Sequence, residues 1–506
     1  MAIRTDILPS FYQDSVVLMR AAGQVRTMPG VREAAAFMGT PANHELLERT
    51  GLATAESRAA RPDDLILAVD AESESAATAA LAAARALLLE RRRSGDEGEA
   101  VRPRTLDAAL RLLPGANLAA ISVPGAYAAF EAQRALRRGL HVFLFSDNVP
   151  LADEVRLKRE AVSRGLLCMG PDCGTAYLNG VGIGFANAVH RGRVGCVAAS
   201  GTGLQAVASR LARLGEGVSH GIGVGGRDLS REVGGTMTLF ALEALAADPG
   251  TQAIVLISKP PHPEVLAKLE AALDKVGKPV VVCCLGAAGP AGGGALWVRT
   301  LDEAADAVAA RLAGRAWAPR AFRDPADVRA RLDRLAAAPP PPDAGILGLY
   351  TGGTLAHEAH LLLEDLLGPA AAGRILDLGD DQYTVGRPHP MIDPQARGDM
   401  LAEAGASRHV GVVLADLVLG TGSHPDPAEP LAAAFARARA RAQAEGRRLV
   451  GIASIVGTRD DRQGLDRQAA LLAGAGFELL ETNAEAARLA ALVIRPDLAP
   501  RLLEER

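Results

Sequence analysis

The chain has 506 residues, 49% hydrophobic and 23% charged, with 55 basic against 59 acidic side chains and a net charge of −4. At about 100–200 residues per domain this is room for three or four domains, and a near-neutral balance argues against nucleic acid or an anionic membrane as partner. Aromatic residues make up only 3%, too few for base-stacking platforms.

The chain is divided by two breaks, the charged stretch Glu90–Glu99 with Arg91-Arg92-Arg93, and the spacer Ala336–Asp343, whose prolines favour an extended segment. Before the first break, apolar runs near Ser15–Met19, Val31–Met38 and Asp64–Val69 alternate with helix-like segments. Ala76–Leu89 is nearly all Ala and Leu, both strong helix formers. Residues 1–90 are thus predicted as a small α+β domain. Between the breaks, β-rich runs stand at Leu118–Val123, His141–Phe145, Val194–Ala198, Ile222–Val224, Ala253–Ile257 and Val280–Leu285. Amphipathic stretches at Ala126–Arg138, Leu204–Leu214, Thr236–Ala247 and Glu264–Val276 lie between them. This spacing predicts parallel βαβ units in doubly wound sheets, over 105–190 and 191–335. Residues 344–506 repeat it, with runs at Ile346–Tyr350, Ile375–Leu378, Val410–Leu414 and Leu449–Ile455.

The five cysteines, Cys168, Cys173, Cys196, Cys283 and Cys284, are scattered in apolar runs without a C-x-x-C pair. That pattern fits reduced thiols and no metal site. The N-terminus lacks a signal-type apolar core, and no run of about 18 apolar residues is free of charge. A cytoplasmic protein without a membrane span is expected.

In open α/β sheets, ligands bind beyond the carboxyl ends of strands, where helix N-termini direct unpaired N–H groups outward. Two strand-to-helix junctions have that character. Val194–Ala199 runs into Ser200-Gly201-Thr202-Gly203 and a helix from Leu204; Ile346–Tyr350 runs into Thr351-Gly352-Gly353-Thr354 and a helix from Leu355. Small residues and hydroxyls suit a phosphate or carboxylate cradle. Neither is a Walker loop, because no Gly-Lys-Ser/Thr follows. Each alone also suits a tight turn with a capped helix; two matched turns favour the cradle.

Further polar loops follow strands. Gly223–Gly235 includes Arg227, Asp228 and Arg231, and Asp377–Pro390 includes Asp381, Arg387 and His389. The arginines suit bidentate recognition of carboxylate or phosphate. His389 reads equally as a general base or donor and as a structural imidazole. Cys173 reads as a nucleophile or as a small residue packed behind its loop.

Residues 118–310 resemble the alpha subunit of succinyl-CoA synthetase, through Gly170-Pro171-Asp172-Cys173, the Ser200-Gly201-Thr202 turn, the Gly223–Gly226 glycines and Lys278-Pro279-Val280. Residues 345–460 resemble the ligase domain of its beta subunit, through Thr351–Leu355, Asp377-Leu378-Gly379 and Val410–Asp416. Nearly the whole chain is similar to the FdrA family of acyl-CoA-synthetase-like proteins. Phe11–Ser15, Met38–Asn43, Phe145–Asn148, Gly225–Gly235 and Tyr383–Asp393 look like its signature segments. The implied fold class is α/β: tandem flavodoxin-like or Rossmann-like doubly wound parallel-sheet domains of succinyl-CoA-synthetase type with a small α+β N-terminal domain. Residues 105–190 would be CoA-binding-like; 191–335 and 344–506 would be the alpha-like and beta-like ligase domains.

Two departures matter. The synthetase's phosphorylated histidine lies in a Gly-His-Ala-Gly-like loop, whereas Gly286–Gly294 here contains no histidine. Only the proline spacer stands where an ATP-grasp domain would precede the beta-like part. Residues 1–90 also lack the usual glycine-rich first turn, which speaks against CoA binding. In the synthetase, two helix N-termini face each other across the active phosphate; here both would lie in one chain. The FdrA resemblance implies a subunit of an oxamate carbamoyltransferase, taking carbamoyl phosphate and forming oxalurate in purine breakdown beside companion subunits, in a homo- or hetero-oligomer. Ser200, Gly201, Thr202, Gly203, Thr351, Gly352, Gly353 and Thr354 would hold phosphate, with Asp228, Arg231 and Asp381 at the substrate. Arg227, Arg387 and His389 are the catalytic candidates; direct transfer requires no covalent residue, and the resemblance implies carbamoyl phosphate as a substrate with no certain cofactor. The alternatives are an acyl-CoA ligase or acyltransferase lacking the phosphohistidine, and a non-catalytic scaffold that binds a phosphate metabolite.

Overall fold

A computed structural model describes residues 2–504 except 12, 14, 95–102, 288, 290–292, 338, 342, 370, 372 and 385–387. The chain forms two compact units, Met1–Thr105 with Asp381–His389, and Leu106–Asp380 with Pro390–Arg506.

In the first unit, strands β1 (Ala2–Leu8), β2 (Val31–Met38) and β3 (Leu65–Ala71) form an antiparallel sheet in the order β1-β3-β2. Central β3 is buried on both faces. Leu65, Leu67 and Val69 pack under the helices Ser15–Arg26 and Glu74–Ser94, while Ile66 and Ala68 meet Leu47 and Leu52. The run Ser15–Met19, read as one of the apolar runs alternating with helix-like segments, instead opens a helix. Leu18, Ala21, Ala22 and Val25 recur at three- and four-residue intervals and face the sheet. A five-residue apolar run cannot show that period by itself.

The second unit contains three sheets. Strands β4 (Leu118–Ile121), β5 (His141–Leu144) and β6 (Cys168–Met169) are parallel in chain order. The second sheet comprises β7 (Thr175–Leu178), β8 (Val181–Gly184), β9 (Val194–Ala198), β10 (Val218–Gly223), β11 (Ala253–Ser258), β12 (Val280–Cys284) and β13 (Leu296–Trp297), ordered β13-β12-β11-β9-β10-β7-β8. It is parallel from β13 to β10, with the hairpin β7–β8 added antiparallel. The third sheet, β14 (Gly345–Tyr350), β15 (Arg374–Asp377), β16 (Val410–Val418), β17 (Val450–Val456) and β18 (Phe477–Leu480), is parallel throughout in the order β15-β14-β16-β17-β18. Strands such as β9, β11, β12 and β17 are buried along their whole length, as strands covered by helices on both faces must be. The architecture is the expected α/β one.

The five parallel strands β9–β13 repeat the connectivity of β14–β18. The chain forms a strand, adds the next on one side, then crosses to the other side for the remaining three. The reversal falls at β9 in one sheet and β14 in the other, and such a switch point leaves a crevice beyond the carboxyl end of the strand. Helix Gly201–Arg213 leaves β9 there and helix Gly353–Leu367 leaves β14. Their apolar stripes, Leu204, Val207 and Leu211 on one and Leu355, Ala359 and Leu363 on the other, belong to a single core.

Candidate functional site

Ser200 is the N-cap of helix Gly201–Arg213, with extended backbone (φ −151°, ψ 121°), and its Oγ accepts from Gly203 N at 2.9 Å. A Cβ on Gly203 would strike that hydroxyl, so this glycine makes room for the cap. Gly352 is the N-cap of helix Gly353–Leu367 and has no side chain to offer. The two helix starts meet: Ser200 Oγ and Thr354 Oγ1 are hydrogen-bonded to each other. A Cβ added to Gly352 would come within 3.0 Å of the Thr202 side chain. The amides of Gly201, Thr202, Gly353 and Thr354 make no hydrogen bond among the described residues. Each helix end carries roughly half a positive charge from its aligned peptides, so two such ends converge on one hydroxyl pair.

The amides of Thr351 and Gly352, expected in the second cradle, are not available to a ligand. Thr351 N donates to Asp416 Oδ1 and Gly352 N to Asp416 Oδ2, both at 2.8 Å, and the Thr351 hydroxyl lies 3.1 Å from each oxygen. Asp416 sits on β16 beside Tyr350, fully buried. Arg397 Nη1 donates to its backbone carbonyl at 2.7 Å and lies 3.3 Å from Oδ1. Burial pushes the Asp416 carboxyl up, against the pull of Arg397 and the two amides. The protein thus supplies its own anion to half of this turn.

Asp377, the last residue of β15, stands where a Cβ on Gly353 would fall. Its Oδ1 accepts from Gly379 N at 2.9 Å. Burial raises the Asp377 carboxyl above the ordinary carboxylate range against that amide, with Asp416 and Asp380 adding to the push and Lys259 opposing it. Lys259 follows β11, the neighbour of β9, and its field also depresses His357 after burial has done so. Asp377 entered the sequence reading only within a motif, and Lys259 not at all. Their signal is that each immediately ends a strand next to a switch-point strand.

The other expected residues lie elsewhere. Arg227 pairs with Glu154 at 2.8 Å and donates to Val149 O at 2.8 Å. Asp228 is corrected from a substrate contact to a structural residue. Its carboxylate is fully buried, 2.7 Å from Lys158 Nζ, and accepts from Thr238 N at 2.8 Å and Met237 N at 3.2 Å, capping helix Thr236–Ala247. Lys158 also donates to Glu154 at 2.7 Å and to Val224 O at 2.8 Å. Arg231 is exposed and pairs with Glu264 at 3.0 Å. Asp381 begins a short helix, Asp381–Thr384, in the first unit. His389 also belongs to the first unit, where burial lowers its imidazole to about 4, so it is neutral at physiological pH. Arg387 lies outside the described residues. Cys173 is buried, its Sγ 3.4 Å from the carbonyls of Thr175 and Gly223, and burial pushes its thiol up to about 12. It is a packed residue, not a thiolate nucleophile.

The uncharacterized protein YahF of Escherichia coli K12 is 39% identical over 515 residues, 97% of this chain and 98% of YahF. The chain belongs to the same succinyl-CoA-synthetase-like, FdrA-type family as YahF. Family models described as "CoA-ligase" and "AllF, heavy metal-associated domain" match residues 349–493 and 1–103. The alpha subunit of succinate–CoA ligase from Aquifex aeolicus is 30% identical over 184 residues, which are 35% of this chain and 59% of that subunit. Among solved structures, an apo dinucleotide-forming acetyl-coenzyme A synthetase from Ca. Korarchaeum cryptofilum is similar at 16% identity and TM-score 0.29, over 76% of this chain and 84% of that one.

Residues 1–103 contain no cysteine and one histidine, His44, whose Nε2 lies 3.2 Å from Ala60 O. No cluster of three or more metal-ligating side chains occurs among the described residues. These residues supply no thiolate and a single imidazole toward a heavy-metal site. No described helix is long and apolar enough to cross a membrane.

Proposed function

We propose that this chain is an acyl-transferring enzyme subunit of the CoA-ligase type that takes an acyl phosphate as donor, the phosphoryl group lying at the converging N-termini of helices Gly201–Arg213 and Gly353–Leu367. The Ser200–Thr354 hydroxyl pair at the two switch points carries this reading. A phosphate there would exchange the hydroxyl–hydroxyl bond for one bond from each hydroxyl and meet the amides of Gly201, Thr202, Gly353 and Thr354. Because Gly286–Gly294 has no histidine to carry a phosphoryl group, the phosphate arrives on the substrate. The acceptor attacks the acyl carbon, the carbon–oxygen bond to phosphate breaks, and the leaving phosphate takes the electron pair and the acceptor's proton. Negative charge grows on the departing oxygen, where fixed dipoles stabilise it most.

The CoA-ligase match over 349–493 favours a thiol acceptor such as CoA. Carbamoyl phosphate with oxamate is the second reading, supported by the missing histidine, since carbamoyl phosphate carries its own phosphate and needs no relay. Companion subunits and a homo- or hetero-oligomer belong to either reading. The test is phosphate release from acetyl phosphate or carbamoyl phosphate, with CoA or oxamate as acceptor and the product followed directly. Saturable release that weakens at least tenfold in Ser200→Ala/Thr354→Ala is expected. Calorimetry showing that neither donor binds would overturn the proposal.

A further inference from the structure

Between the two helices, one to two turns below their N-termini, lies a cavity of about 40 Å³. It is lined by Ser209 of the first helix, Leu355 and Glu358 of the second, Ser454 of β17, and Asn483 at the start of helix Asn483–Ile494. Ser209 and Ser454 are each 2% exposed and Asn483 6%. Ser209 Oγ, Ser454 Oγ and Asn483 Oδ1 have no hydrogen-bond partner. The Asn483 amide cannot be turned to relieve this. Its Nδ2 donates to Leu355 O and to Glu358 Oε2, both at 2.9 Å, which leaves Oδ1 facing the cavity without a donor. Buried polar atoms are nearly always satisfied, and here three unsatisfied ones share one space.

The occupant must donate to an amide oxygen and exchange hydrogen bonds with two hydroxyls. The guanidiniums of Arg210 and Arg213 on the same wall oppose a cation, and the carboxylates of Asp302 and Glu481 oppose an anion. A neutral donor–acceptor is left. A water needs roughly 10–15 Å³ of such space and two to four polar partners, so the cavity of about 40 Å³ takes about three. We propose that this cavity is a built hydration site, whose waters bridge Ser209, Ser454 and Asn483 and give Glu358 a path for its proton, making the seam between the two helices a proton-binding joint.

Glu358 ties that seam. Its Oε1 accepts from Leu301 N at 2.7 Å, at the start of helix Leu301–Leu312, and its Oε2 from Asn483. Burial raises its carboxyl to about 7. Asp302 adds to the rise, while the Leu301 amide, Asn483 and Arg488 oppose it. Cys283 of β12 and Tyr350 of β14 also lie within its field. A carboxyl raised on folding favours the folded state most when protonated. Its contribution is complete below about 4.5 and is lost as pH rises to about 7.

The experiment has three arms on the full-length chain. A crystal structure finer than about 1.8 Å should show waters within hydrogen-bond reach of all three atoms; empty density overturns the proposal. Ser454→Ala should lower Tm by about 1–3 °C; an unchanged or raised Tm means that the hydroxyl was dry and overturns it too. Glu358→Gln should flatten the fall in Tm between pH 4.5 and 7. A profile parallel to that of the parent chain overturns the proton-binding role.

Discussion

The starts of helices Gly201–Arg213 and Gly353–Leu367 look alike in sequence, Ser-Gly-Thr-Gly against Thr-Gly-Gly-Thr, and occupy the same place in sets of five parallel strands of the same connectivity. They are opposite in charge economy. Ser200 satisfies one amide with a neutral hydroxyl, and the Gly201 and Thr202 amides have no partner among the described residues. At the other start a buried carboxylate, Asp416, takes the two amides before the helix, and a second, Asp377, lies against the first helical residue. The positive field of the second helix is therefore partly neutralised from within. At the proposed phosphate site an anion would therefore be drawn chiefly to the first helix, while the second supplies Thr354 and the Asp377 carboxyl, which burial raises.

The comparison breaks most completely at Asp416. Asp416→Ala leaves Arg397 buried without its charge partner and strands the Thr351 and Gly352 amides. Breaking a buried ion pair from one side costs about 3–5 kcal/mol, and we expect a loss of that size in denaturant unfolding of the second unit. Asp416→Leu combined with Arg397→Met should recover only the part due to the uncompensated charge, because the Thr351 and Gly352 amides stay stranded. A single variant within 1 kcal/mol of the parent, on the order of an exposed pair, would mean that Asp416 does not hold this turn.

Much of this was legible beforehand, and the part that was not has a physical reason. The two turns show in sequence because hydroxyls and glycines ending a β-rich run are local signals, and the alternation of runs gave the α/β class. Strand order is not local. The reversal at β9 and β14 depends on which side each crossover takes, and it is what brings Ser200 to Thr354 across 154 residues. Asp416 lies 65 residues from the amide it caps, Lys158 lies 70 from Asp228, and Asn483 lies 125 from Glu358. In each case the residue type was visible and its partner was not. The same blindness made Asp228 look like a substrate contact, since a charged residue in a glycine-rich loop reads as exposed until the buried lysine behind it is known.

Asp377 offers a smaller and sharper contrast. Its carboxyl is raised by burial and stands at a helix start expected to receive an anion. Protonation removes a like charge, so anion affinity should rise as pH falls through its titration. Asp377→Asn should bind sulfate, which stays dianionic throughout, on the order of tenfold more tightly at neutral pH, with a flat pH profile. Calorimetry with sulfate checks both. Equal affinity and an equal slope in the two proteins would place Asp377 outside the anion's reach.

The smallest effect separates capping from bridging at Ser200, which does both. Replacing a serine N-cap by alanine costs typically about 1 kcal/mol, whereas glycine costs only a few tenths, because glycine leaves the cap amides open to water. Neither variant can bond to Thr354. If capping dominates, Ser200→Ala is the less stable by roughly 0.5–1 kcal/mol, and Ser200→Gly, which gives the first helix the residue type the second already has in Gly352, stays near the parent. If the bridge to Thr354 dominates, the two variants fall together and Thr354→Ala falls with them. Urea unfolding of the three variants distinguishes these outcomes. A matched loss in all three would show that the two helix starts are held as one element, and that the difference in their internal charge is set against a shared hydroxyl contact.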